Sequence, residues 1–292
     1  MCGPSREGAT GLRTLIVGST SAVGASVARE FASLGPVLFA GRRNADILMD
    51  LEDWKSHPAT SERFDTVVQL AADFGGASDE DMIRAEIVNS VGMVAVCRLA
   101  REVGARHLIV VSSISATYEA ADSHFGIYSL SKRHGEEVAQ LACRTHGMAL
   151  TILRPSQIYD DAGQCRPHQE LLYLMADRAA EGLDIAIFGS HDARRNLIHV
   201  TDFATICRLV ALKQETGVFA CVHPHSVCLS EMAEAAFAAF GRGGQVRFLT
   251  DRPALGDLPI VDDFRLFDLI KYSPQINVRQ GYVRIKAFRE AS

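Results

Sequence analysis

No apolar run in this 292-residue chain reaches the ~18 residues needed to cross a bilayer. Residues 1–13 carry Gly, Pro, Ser, Arg and Glu without the apolar stretch of a signal peptide, so a disordered tail is expected there and a membrane partner is not. Positive charge is not in excess either. The 30 Lys and Arg stand against 35 Asp and Glu, a formal charge of -5 that gives no field for nucleic acid. The seven cysteines, at 2, 97, 143, 165, 207, 221 and 228, fall in apolar stretches and make no disulfide framework, which reads as reduced thiols in a cytoplasmic protein. Cys221, His223, His225 and Cys228 are ligand types, but they lack the Cys-x-x-Cys knuckle spacing, and no metal is expected. Repeats and low-complexity linkers are missing too. What remains, with 48% hydrophobic and 22% charged residues, is an ordinary soluble chain able to bury a full core.

What the chain does have is a regular alternation of strands and helices. Residues 14–17 are a short apolar run, Gly18-Ser19-Thr20-Ser21-Ala22-Val23-Gly24 follows at once, and Val23, Val27 and Phe31 then recur every four residues until Gly35. This is strand, tight turn and helix. Such a turn aims free N–H groups and the positive end of the helix dipole at one place, which suits a pyrophosphate. Ser21 stands where a second glycine would let backbone approach phosphate, and its hydroxyl is itself a donor. The second strand ends in Gly41-Arg42-Arg43, about 20 residues after the turn, where an acid would take the ribose 2′-OH of NAD. Two cations suit a 2′-phosphate instead, so NADP(H) is favoured and NAD(H) stays possible.

Residues 47–49 run into Asp50, and residues 66–72 are predicted as a fourth strand ending in Ala71 and Ala72, small enough for a flat ring to lie close. A helical stretch with Ile83, Ile87 and Val91 on one face carries Asn89 and is closed by Gly104; residues 107–111 then lead to Ser112 and Ser113. The pattern predicts an α/β fold with a Rossmann-type, doubly wound parallel sheet and ligands at the carboxyl ends of its strands. Tyr128 and Lys132, at i and i+4, share a helix face. A cation there favours phenolate and would pull the phenol below its ordinary ~10, making Tyr128 an acid/base for a carbinol or carbonyl oxygen.

From Leu15 to about Tyr282 the chain resembles the extended short-chain dehydrogenase/reductase superfamily, in its NAD-dependent epimerase/dehydratase, nucleotide-sugar-modifying branch. The resemblance is carried by Gly18, Ser21 and Gly24 in the glycine turn, Asp50, Leu70-Ala71-Ala72, Asn89 with Gly92, Val111-Ser112-Ser113, Tyr128 with Lys132, and Leu153-Arg154-Pro155 before Tyr159. It implies that Asp50 contacts adenine, that Lys132 holds the nicotinamide ribose, and that Ser113 binds the same oxygen as Tyr128, with Ser112 the alternative. It also implies cofactor contacts at Val23, Leu51, Leu70, Pro155 and Ile158. A smaller C-terminal substrate lobe is expected over 159–292 beside a cofactor domain over 14–158, with segments near 197–225 returning to the latter. In the lobe, Arg194-Arg195-Asn196-Leu197-Ile198-His199 and Arg252-Pro253-Ala254-Leu255-Gly256-Asp257 resemble the segments whose arginines reach a substrate diphosphate. Arg195 and Arg252 are the candidates and Arg194 a neighbouring one.

Ile114-Ser115-Ala116 supplies no carboxylate beside Ser113, which disfavours elimination. The expectation is NADPH-dependent reduction of a nucleotide-diphosphate 4-keto-hexose. The alternatives are a nucleotide-sugar 4-epimerase with bound NAD and a cofactor-binding sensor or scaffold without turnover. A homodimer through helices of the cofactor half is implied by the resemblance.

Overall fold

The computed structural model describes residues 11–55 and 58–291. Residues 1–10 of the expected tail lie outside these. At its described end, Leu12 N–H donates to the Leu34 carbonyl at 2.7 Å and Arg13 pairs with Glu62, so these positions belong to the folded body.

The strands are β1 (Thr14–Val17), β2 (Val37–Gly41), β3 (Ile47–Leu48), β4 (Thr66–Gln69), β5 (His107–Val111), β6 (Ala149–Pro155), β7 (Gln157–Tyr159), β8 (Ile185–Phe188), β9 (Arg194–Arg195), β10 (Leu197–His199), β11 (Gly217–Cys221), β12 (Val227–Cys228) and β13 (Val246–Leu249). Between and after them run the helices α1 (Gly24–Ala32), α2 (Asp79–Glu86), α3 (Gly92–Glu102), α4 (Ile127–His146), α5 (Glu170–Glu181), α6 (Val200–Lys213), α7 (Leu229–Phe240), α8 (Arg265–Ile270) and α9 (Val278–Ala291). Seven strands form one sheet in the order β11-β6-β5-β4-β1-β2-β3, and every adjacent pair is parallel.

The sheet is parallel because both its faces are covered. Leu15, Val17, Val67, Leu108, Val110 and Ile152 point to one side, against Met93, Val96 and Leu99 of α3 and Ala139 and Cys143 of α4. Their chain neighbours Ile16, Val68, Ile109, Val111 and Leu153 point to the other, against Val27 and Phe31 of α1, Phe203, Ile206 and Val210 of α6, and Leu266 of α8. Between β1 and β4 the strand order reverses, and such a switch point opens a crevice at the strands' carboxyl ends.

A third cluster forms the lobe, where α5, α7 and α9 bury Tyr173, Met232, Tyr282 and Ile285 with Tyr159 of β7 and Ile187 of β8. Strand pairs β8/β13 and β9/β12 brace it, while β11 and α6 belong to the central sheet and its cover. Among the described residues no helix is long and apolar enough to cross a membrane.

Two local expectations are corrected. The fourth strand ends at Gln69, and Leu70–Ala72 continue as irregular backbone. Ile83 and Val91 are not on a core face, being 59% and 36% exposed. A π-turn at Ile87–Val91 separates α2 from α3 and shifts the helical phase, so Asn89 is the residue turned inward. Helix α7 is capped by Cys228, with Glu231 accepting from the Cys228 N–H at 2.6 Å, while Ser230 bonds Asp192.

Candidate active site

The glycine turn after β1 is shaped by backbone proximity. Gly18 has φ +114°, and a Cβ built there would lie 2.7 Å from the Ala71 backbone nitrogen. Ser21 N–H donates to the Gly18 carbonyl at 3.0 Å and Gly24 N–H to the Ser21 carbonyl at 3.0 Å, which closes the turn. Helix α1 then starts without a side-chain cap, leaving its positive end open. Beside this turn lies a cleft of about 570 Å³. Of the residues singled out from sequence, it is lined by Gly18, Ser21, Val23, Arg42, Asp50, Leu51, Leu70, Ala71, Ala72, Ser112, Ser113, Tyr128, Lys132, Pro155 and Ile158.

Others, Arg194 among them, do not line it. Gly24 is the first residue of α1, behind the turn. Arg43 is exposed, and its carbonyl accepts the Ser19 hydroxyl at 2.6 Å. Asn89 is buried behind the cleft wall, where its Nδ2 donates to the Asp73 carbonyl at 2.7 Å and to Ser131 Oγ at 3.0 Å. Arg195 is only 7% exposed; its Nη1 donates to the Arg194 and Gly256 carbonyls at 2.8 and 2.9 Å. Burial pulls its pKa down, and its charge acts on Tyr118, a cleft residue. Arg252 stands exposed just after β13. Asn196, where the resembled segment has Asp, is a buried bracket: its amide accepts from His223 N–H at 2.8 Å and donates to the His223 carbonyl at 2.7 Å.

At the inner end of the cleft, β5 delivers Ser113 and the first turn of α4 delivers Tyr128. Ser113 acts on the Tyr128 phenol, holding its pKa down against burial. Ser115 Oγ donates to Ser113 Oγ at 2.9 Å, so the Ser113 proton is left to point elsewhere. Lys132 lies one turn beyond Tyr128, yet its Nζ donates to the Val111 carbonyl at 2.8 Å. The expectation that a neighbouring ammonium pulls the phenol down is therefore corrected. Burial pushes Tyr128 up to about 12, opposed by Ser113, and burial pushes Lys132 down to about 8, opposed by Glu136.

The NAD dependent epimerase/dehydratase family model matches residues 14–220, which hold the whole of this cleft. The chain belongs to that family. The curated dTDP-4-dehydro-6-deoxy-D-allose reductase of Streptomyces bikiniensis is 28% identical over 233 residues, covering 72% of this chain and 70% of that protein. A putative UDP-glucose 4-epimerase of Methanocaldococcus jannaschii is 22% identical over 209 residues, 68% of each chain. In fold, the chain is similar to RMD from Pseudomonas aeruginosa, solved with NADPH, at TM-score 0.78 and 17% identity over 96% of this chain and 99% of that one.

Several cleft residues of this family member escaped the sequence reading. Phe74 stacks on Tyr128 with centroids 4.7 Å apart and on His168 at 3.6 Å, forming a three-ring wall beside the phenol. Its only signal was an aromatic residue just past Ala71-Ala72, and His168 had none. Glu52 also lines the cleft and bonds Arg42 Nη1 at 2.7 Å, an acid two residues after Asp50 that the search for a charge after β2 passed over. Ser115 was visible as a hydroxyl two residues after Ser113.

Proposed function

We propose that this family member uses NADPH to reduce the keto group of a nucleotide-diphosphate 4-keto-hexose. The observation that carries the reading is the convergence of Ser113, Tyr128 and Lys132 in the same cleft as the Gly18 turn. The cleft fits a dinucleotide. Ser112 Oγ, Ser156 Oγ and Gln157 Oε1 are buried there without a hydrogen-bond partner, and the glycine turn offers backbone where a Cβ would intrude. A nicotinamide cofactor, when bound, supplies a hydride.

The chain's own groups then have separable roles. Tyr128 gives its proton to the carbonyl oxygen as charge develops there. Ser113, its hydroxyl fixed by Ser115, donates to the same oxygen. Lys132 holds ribose hydroxyls. Asp50, Leu51 and the Leu70–Ala72 wall receive the adenosine end, and Pro155 and Ile158 the nicotinamide end. Arg195, buried and tied by one nitrogen, and the exposed Arg252 are the candidates for the sugar diphosphate. The exposed Met82, Ile83 and Val94 of α2 and α3 are the surface for a homodimer.

NADPH is preferred because Arg42 lines the cleft with Arg43 next to it, and a 2′-phosphate would draw Arg42 away from Glu52. The Streptomyces reductase supports a keto-sugar substrate. One observation favours a second reading, a UDP-sugar 4-epimerase with NAD: Glu52 is an acid at the cleft that would accept ribose hydroxyls. Retention of Ser113, Tyr128 and Lys132 speaks against a sensor without turnover. The test is titration of NADPH and NADH into the wild type and an Arg42→Ala/Arg43→Ala variant. Tighter NADPH binding that is lost in the variant is expected; equal or tighter NADH binding overturns the reductase in favour of the epimerase.

A further inference from the structure

Tyr128, Lys132 and Glu136 follow one another at four-residue intervals along one face of α4. The first two line the cleft, and Glu136 sits behind them, 2% exposed, reaching no reacting atom. Its carboxylate is fixed from the neighbouring strand. Arg154 of β6 donates from Nε to Oε1 at 2.9 Å and from Nη2 to Oε2 at 2.5 Å, a two-point fork. Lys132, 6% exposed, has the neutral Val111 carbonyl as acceptor. A buried ammonium beside neutral groups alone gives up its proton easily.

We propose that Glu136, held by Arg154, is a positioning residue that keeps Lys132 charged at working pH. The groups facing Lys132 leave Glu136 as the source of negative charge. On α4 these are Tyr128, a neutral phenol, and Glu136 itself. From the end of β5 comes the Val111 carbonyl, with the hydroxyls of Ser112 and Ser113 in the same cleft, while the neutral Asn89 of the π-turn is committed to Asp73 and Ser131. Asp73, on the loop after β4, is committed to Arg84 at 2.7 Å. Arg154, bound to Glu136, opposes its field, and loss of Arg154 leaves the carboxylate's charge uncompensated. Burial pushes Lys132 down to about 8, and Glu136 is the charge acting against that fall.

The inference rests on the role given to Lys132 under the proposed function, but its test does not need the cofactor. The lysines are Lys55, Lys132, Lys213, Lys271 and Lys286, few enough for ε-¹³C-lysine NMR of the full chain, with Lys132→Arg assigning the signal. Lys132 is titrated in the wild type, Glu136→Gln, Arg154→Gln and the double variant. Glu136→Gln is expected to lower the Lys132 pKa by about one unit or more, and Arg154→Gln to hold or raise it. The double variant, which leaves no buried charge unpaired, should fall between Glu136→Gln and wild type, and it carries the test if Glu136→Gln does not fold. A Lys132 pKa unmoved by loss of Glu136, or lowered equally by both single variants, overturns the proposal. NADPH affinity of the wild type across the same pH range is read alongside. An affinity that ignores the Lys132 titration refutes the ribose-binding role while leaving the Glu136 assignment standing.

Discussion

Replacing Gly18 by Ala should separate a glycine required by backbone geometry from one that is not, because Gly24 in the same turn offers the contrast. At Gly18 two costs fall together. The residue has φ +114°, where an L side chain is strained by about 1–3 kcal/mol. The new Cβ would also lie 2.7 Å from the Ala71 nitrogen, a backbone atom that cannot swing aside, and relieving such an overlap costs about 1–3 kcal/mol more. Gly18→Ala is therefore expected to lose roughly 2–6 kcal/mol of stability. At Gly24 the nearest atom to a Cβ is the Gly18 carbonyl oxygen at 3.5 Å, an ordinary contact, and the residue opens a helix. Gly24→Ala should change stability by no more than about 1 kcal/mol, with helix propensity in its favour. Urea unfolding followed by fluorescence and circular dichroism gives both values, provided m is unchanged. NADPH titration of the folded fraction should show weaker binding in Gly18→Ala, since the turn must move away from Ala71. Equal stability losses in the two variants would refute the reasoning, as would a Gly18→Ala protein as stable as wild type.

Tyr128→Phe should lower keto-sugar reduction by about 10²–10⁴-fold while NADPH affinity stays within a few-fold, read by steady-state kinetics beside fluorescence titration. His107 is fully buried, with Nε2 at 2.8 Å from Thr151 Oγ1 and Nδ1 without a partner, and burial pushes it down to about 4. The unfolded chain then takes a proton below pH 6.5 that the native state refuses, so stability present above 6.5 is lost towards pH 4, by about 3 kcal/mol. His107→Gln should flatten that acid slope in urea unfolding; an unchanged slope would remove His107 as its cause.

The central sheet was legible because each strand is a short apolar run covered on both faces, so hydrophobicity alone marks it, and the turn residues mark its ends. The Tyr128–Lys132 pair was legible for a different reason: four residues on a helix share a face whatever else the chain does. Where a regular period fails, the reading failed with it. Counting by helical turns put Ile83 and Val91 on a core face, and one π-turn left them exposed and turned Asn89 inward. Phe74 and His168 meet through a loop and a short turn far apart in sequence, and no periodicity joins them.

The same division holds within the Ser113, Tyr128 and Lys132 cluster. Spacing says that the phenol and the ammonium are neighbours on α4, but their proton affinities depend on what the tertiary structure lays over them. Burial moves Tyr128 up and Lys132 down, away from one another, so each group's charged form is the disfavoured one. A phenol held up is a poor acid until charge arrives beside it, and the charge that supports Lys132 comes from Glu136 on the same helix, itself anchored by Arg154 from β6. Tyr128, Lys132 and Glu136 could be counted off along one helix; that Arg154 reaches the third of them could not, because it requires β6 to lie beside α4. The proton affinities of Tyr128 and Lys132 are therefore set by the packed sheet and helix together, through burial and the charge of Glu136, and not by the spacing along α4 alone.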